Sequence, residues 1–80
     1  MPKRAREGFS GTTSKPIKLT GVYEELLIIN DGTSNLTFTA GKFTFILGPG
    51  EVFDEEIDPF SEIEVTATGA YRGYVRDVYK

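Results

Sequence analysis

Residues 35–47, NLTFTAGKFTFIL, carry the clearest pattern in the chain. Leu36, Phe38 and Ala40 alternate with Thr37 and Thr39, and Phe43, Phe45 and Leu47 alternate with Thr44 and Ile46. Period 2 in aromatic, β-branched and aliphatic residues suits a pleated surface buried on one face. Ala40-Gly41-Lys42 joins the two runs, and Gly41 can adopt the positive φ of a tight hairpin turn. A hairpin alone is marginal in water, so the other strands must cover it.

Weaker alternation surrounds this hairpin. Residues 17–20 and 23–30 read as two strands separated by Gly21, with Leu26 and Ile28 facing one way and Leu27 and Ile29 the other. Asn30-Asp31-Gly32-Thr33-Ser34 is dense turn chemistry. Gly48-Pro49-Gly50-Glu51 fits a type II turn with Gly50 at the position of positive φ. Residues 51–57 form a weak strand, and Asp58-Pro59 reads as a turn. In residues 62–68, Ile63, Val65 and Ala67 point inward while Glu62, Glu64, Thr66 and Thr68 point outward. After Gly69-Ala70, residues 71–79 form a last strand with Tyr71, Gly73 and Val75 on one face and Arg72, Tyr74 and Arg76 on the other. Nothing repeats at i, i+3, i+4, i+7 for three turns. The expectation is an all-β domain, a small antiparallel β-sandwich or barrel of about seven short strands, with Leu36, Phe38, Phe43, Phe45, Ile63 and Val65 in one buried cluster.

Residues 1–16 have no periodicity and one large apolar residue, Phe9. Lys3, Arg4, Arg6 and Lys15 against Glu7 give this segment a net +3, whereas residues 17–80 carry −6. The chain thus divides into a basic extended N-terminal arm (1–16) and a β-sandwich domain (17–80). Such an arm cannot bury enough surface to offset its ordering entropy, so when ordered it is expected to lie across a neighbour.

Composition removes several function classes. Eighty residues suffice for one domain that buries only about 60% of its unfolded surface, so association is the expected source of extra stability. No cysteine means no disulfide and no thiolate metal site; no histidine removes the commonest metal ligand and general base. No serine sits at a strained elbow and no glycine loop matches a phosphate cradle, so the chain reads as no enzyme, with no cofactor. The longest apolar run, residues 26–29, is far short of the roughly 20 that span a bilayer, and no signal peptide is read.

Asp54, Glu55, Glu56 and Asp58 could attract a hard cation, but their spacing matches no EF-hand, and a charged edge that resists sheet-to-sheet pairing is the plainer reading. Lys3, Arg4 and Arg6 could meet phosphates; with so few charges and no interleaved aromatics, docking on an acidic protein surface is favoured, with Phe9 as anchor. Tyr71, Arg72, Tyr74 and Arg76, with Tyr79, could line a sugar- or partner-binding face or simply pack. Asn35-Leu36-Thr37 matches the N-glycosylation acceptor pattern by chance, within a predicted sheet.

The span from Ile29 to Arg76 resembles small β proteins encoded among the virion genes of tailed bacteriophages. The resemblance is carried by Asn30-Asp31-Gly32-Thr33 before Leu36-Thr37-Phe38-Thr39, by Gly48-Pro49-Gly50-Glu51-Val52-Phe53, by Asp58-Pro59-Phe60, and by Val65-Thr66-Ala67-Thr68-Gly69-Ala70-Tyr71-Arg72. It implies a small sandwich of the capsid-decoration, head-tail or tail accessory type, located in the virion after synthesis in the host cytoplasm. Its expected partners are other virion proteins and copies of itself, without membrane. It transfers no functional residues. A carbohydrate- or surface-binding β module is the second reading, and a nucleic-acid-binding accessory protein the third, disfavoured because the acidic domain repels phosphate.

Overall fold

Every stretch that alternates in the sequence is extended in the computed structural model, which describes residues 3–78. The strands are β1 (Lys3–Gly11), β2 (Lys15–Asn30), β3 (Leu36–Ala40), β4 (Phe43–Leu47), β5 (Val52–Thr66) and β6 (Tyr71–Val78). They form one antiparallel sheet in the order β1-β6-β2-β5-β3-β4. The sheet is open, with β1 and β4 as its edges, and no helix occurs among the described residues.

Two of the expected chain breaks are bends inside strands. Gly21 lies within β2 and Asp58-Pro59 within β5. The two strands pair on both sides of the bend: Lys15 to Lys18 lie opposite Val65 to Glu62, and Glu25 to Ile29 opposite Glu56 to Val52. Tyr23 meets Phe60 between two register shifts. A proline has no N–H for a ladder and is tolerated at such an irregularity. Two mergers and the addition of β1 turn the expected seven short strands into six, two of them long.

The sheet is strongly curved. At about 3.3 Å per residue a straight 16-residue β2 would be roughly 50 Å long, whereas the molecule's longest extent is 38 Å. Phe38 of β3 pairs with Val65 at one end of β5. Its ring also lies 5.0 Å from that of Phe53 at the other end. Curvature gives a single sheet a shared interior, holding Leu26, Ile28, Leu36, Phe38, Leu47, Phe53, Phe60, Ile63, Val65, Tyr71 and Val75.

The two central turns follow their sequence chemistry. Gly41, at φ +63°, is the first central residue of the β3–β4 turn, and no non-glycine residue among the described residues has positive φ, which fits a type II′ hairpin. Gly50, at φ +78°, follows Pro49, and Glu51 N donates to Gly48 O over 3.1 Å, as in a type II turn.

The expected cluster needs one correction. Leu36, Phe38, Ile63 and Val65 are buried and Phe43 packs partly against them, but Phe45 is 44% exposed. Its strand is the outer one, and no further strand covers it. Phe38→Ala should therefore cost about 3–5 kcal/mol and Phe45→Ala only about 1–2 kcal/mol, in paired urea titrations.

Candidate functional site

The eight residues expected to bind a partner do not form one surface. The basic segment is not an arm reaching to a neighbour: residues 3–11 are β1, paired along β6 from Lys3 opposite Val78 to Gly11 opposite Tyr71. β6 would otherwise present an open edge, and its backbone groups supply what the segment's own side chains lack. Phe9 lies opposite Gly73, in the space a side chain there would fill, and packs against the core. Phe9 is thus an anchor within its own chain.

Three of the charged members, Arg6, Arg72 and Arg76, are also engaged locally. Arg6 pairs with Asp77, both about half exposed, and Arg72 Nε donates to Asp31 over 2.8 Å. Exposed pairs of this kind are worth about 0–1 kcal/mol each. Arg76 bonds Glu25 at 3.3 Å and Asp54, and lies 5.8 Å over the Tyr74 ring. Arg4 is exposed on β1; the side chain of Lys3 and all of Tyr79 lie outside the described residues.

Tyr71 belongs to the interior. It is 1% exposed, its hydroxyl donates to Thr13 O over 2.9 Å, and burial raises its pKa. Period 2 places it on the face opposite Arg72, Tyr74 and Arg76, so the four could not have shared a surface. The outer face keeps half-buried Tyr74 and exposed Arg72. In the acidic run, Asp54 is held by Arg76, and no three acidic residues converge as a metal site would need among the described residues.

Three features were not read from the sequence. The first is a clasp between β1 and β2. The Glu7 carboxylate accepts from Tyr23 Oη at 2.6 Å, Thr20 Oγ1 at 2.7 Å and Thr20 N at 3.1 Å. These bonds, chiefly that from Tyr23, hold the Glu7 pKa below its ordinary value and raise that of Tyr23. A lowered carboxylate pKa stabilises the fold above the unfolded value, about 4.5, and that contribution disappears as pH falls through the folded value. Glu7→Gln should therefore lower Tm at pH 7, and the gap should close towards pH 3 in a thermal melt series.

The second is Asn30, only 2% exposed at the end of β2. Its amide donates to the carbonyls of Ser34 (2.8 Å), Leu47 (3.1 Å) and Gly48 (3.1 Å), and its Oδ1 accepts from Gly32 N at 3.0 Å. One side chain thereby ties the 31–34 loop to the end of β4. The pattern Asn-Asp-Gly signalled a turn but not this reach.

The third is the position of β4 at the bare edge of the sheet. The strand's residues are uncharged, its outer side has no strand, and it holds two of the large apolar residues most open to solvent, Phe45 and Ile46 (58%). A depression of about 540 Å³ near the bend is lined in part by Val22, Pro59, Phe60 and Glu62.

Comparison with protein-family models, with curated proteins and with solved structures finds no match to the chain.

Proposed function

We propose that the chain is a non-enzymatic structural subunit of a tailed-phage particle, assembling with copies of itself and with other virion proteins. One observation carries the assembly part: an open sheet ends in an uncharged apolar strand with Phe45 and Ile46 exposed. Unpaired strand edges are templates for another strand, and proteins that stay single blunt them with charge. The particle itself is supported by the resemblance of the Ile29–Arg76 span. The fold is all-β and antiparallel, as that resemblance implies, with one open curved sheet around a shared core in place of the expected two-layer sandwich. Arg6, Arg72 and Arg76 are neutralised by carboxylates, which argues against a phosphate-binding face.

The pairing of residues 3–11 within their own sheet favours a second reading, a free-standing carbohydrate- or surface-binding module, since those residues are taken up by β6 and not by a neighbour. Proteomic analysis of gradient-banded particles from the strain that carries the gene separates the two. A virion subunit is recovered in the particle band in fixed proportion to the major capsid protein. Recovery only from the soluble fraction, with binding on a glycan array, would favour the module.

A further inference from the structure

We propose that β4 pairs with β4 of a second copy, antiparallel and about a two-fold axis through Phe45, so that two sheets become one. The proposal rests on the reading of the chain as a self-assembling subunit and names the surface that does it.

The backbone sets the register. In a two-residue hairpin the residues flanking the turn, Ala40 and Phe43, exchange hydrogen bonds, and bonded pairs then alternate along the ladder. Phe43, Phe45 and Leu47 therefore spend their N–H and C=O groups on β3. Those of Thr44 and Ile46 point away from it, off the free edge. An antiparallel second strand satisfies both when Thr44 faces Ile46 of the second copy and Ile46 faces Thr44. That arrangement is its own two-fold image, the geometry of an isologous dimer. It sets Phe45 opposite Phe45 in a non-bonded pair, where Cα atoms come to about 4.5 Å and side chains are closest. The ring left 44% exposed in one copy is covered by its counterpart.

Charge selects the occupant. The same register brings Lys42 opposite Gly48 of the second copy. Gly48 N donates to the Glu51 carboxylate at 2.5 Å, so each Lys42 meets an acidic group, twice by symmetry. No residue of β4 is charged. The other free edge, β1, carries exposed Arg4 and the Arg6–Asp77 pair, so it is guarded by charge as β4 is not. Pro49, without an N–H, ends the pairing edge beyond Gly48.

The test uses the full chain, which has no cysteine of its own. Phe45→Cys should form a covalent dimer within minutes of mild oxidation, because opposed residues in this register lie within disulfide range. Val22→Cys, at a more exposed site (69%), should stay monomeric on non-reducing gels. Independently of any effect on folding, Lys42→Glu should weaken the dimer about tenfold in sedimentation equilibrium, and Lys42→Glu with Glu51→Lys should restore it. A chain that dimerises without cross-linking at position 45, or whose affinity ignores the charge exchange, overturns this interface while leaving a self-assembling subunit. Species growing beyond the dimer would mean head-to-tail pairing of β4 with β1 and also overturn it. A dimer that behaves as proposed but is missing from particles keeps the interface and removes the virion role.

Discussion

Gly73→Ala should leave most of the chain unfolded at 25 °C, although it adds a single methyl group. A Cβ at this position would stand 2.3 Å from Leu27 O, 3.0 Å from Ile28 Cα and 2.7 Å from Phe9 Cζ. Phe9 could turn aside at the loss of its anchor, but the two backbone atoms belong to β2, the central neighbour of β6. Relief requires β2 and β6 to part, in a packed interior with little slack. Overpacking usually costs 1–3 kcal/mol, and a clash with the backbone of β2 belongs at or beyond about 3 kcal/mol. A small single core rarely supplies more than about 3–5 kcal/mol in total. Circular dichroism and a urea titration check this; a variant within about 1 kcal/mol of the parent would mean that the β2–β6 spacing is wider than described.

Asn30→Asp should be nearly as damaging, for electrostatic rather than steric reasons. The side-chain volume barely changes. The amide nitrogen that donates to three carbonyls becomes an oxygen facing those same three carbonyls, in a site that is 2% exposed. An ionised carboxylate there is a buried charge without a donor on that side. The buried site and its facing carbonyls raise the carboxyl's pKa, and the proton it takes up restores only part of the donor set. A loss of about 3 kcal/mol at pH 7 is expected, with part of it recovered near pH 4, since protonation is then cheap. Urea titrations at the two pH values test the sign. A variant equally unstable at both would show that packing, and not the reversed hydrogen bonds, governs the site.

The hairpin was legible because its signal is local. Leu36, Phe38, Thr37 and Thr39 alternate, Gly41 marks the turn, and both features survive in the fold. The same alternation placed Ile63, Val65 and Ala67 correctly on the inner face and grouped Tyr71, Gly73 and Val75 on one face without saying that it is the buried one. What period 2 cannot report is coverage. It assigns Phe38 and Phe45 to one side, and only the strand order reveals that β4 is outermost and Phe45 half bare. Nor does it mark continuity through a bend: Gly21 and Pro59 look like breaks, yet β2 and β5 stay paired on either side of them. β1 was hidden most deeply. KRAREGFSG has no alternating apolar face, and its strand conformation comes from the free edge of β6 and the gap over Gly73 that Phe9 fills. The Tyr71, Arg72, Tyr74 and Arg76 grouping failed through its own periodicity, since a strand splits such a run between two faces.

Sedimentation equilibrium of the unmodified chain over a range of concentrations tests the self-assembly at the centre of this account most directly. The expected result is a reversible shift from the 8.9 kDa monomer to a species of twice that mass, saturating there. A single 8.9 kDa species at every concentration would contradict it, and would leave the exposed β4 edge as a surface for a different protein or ligand.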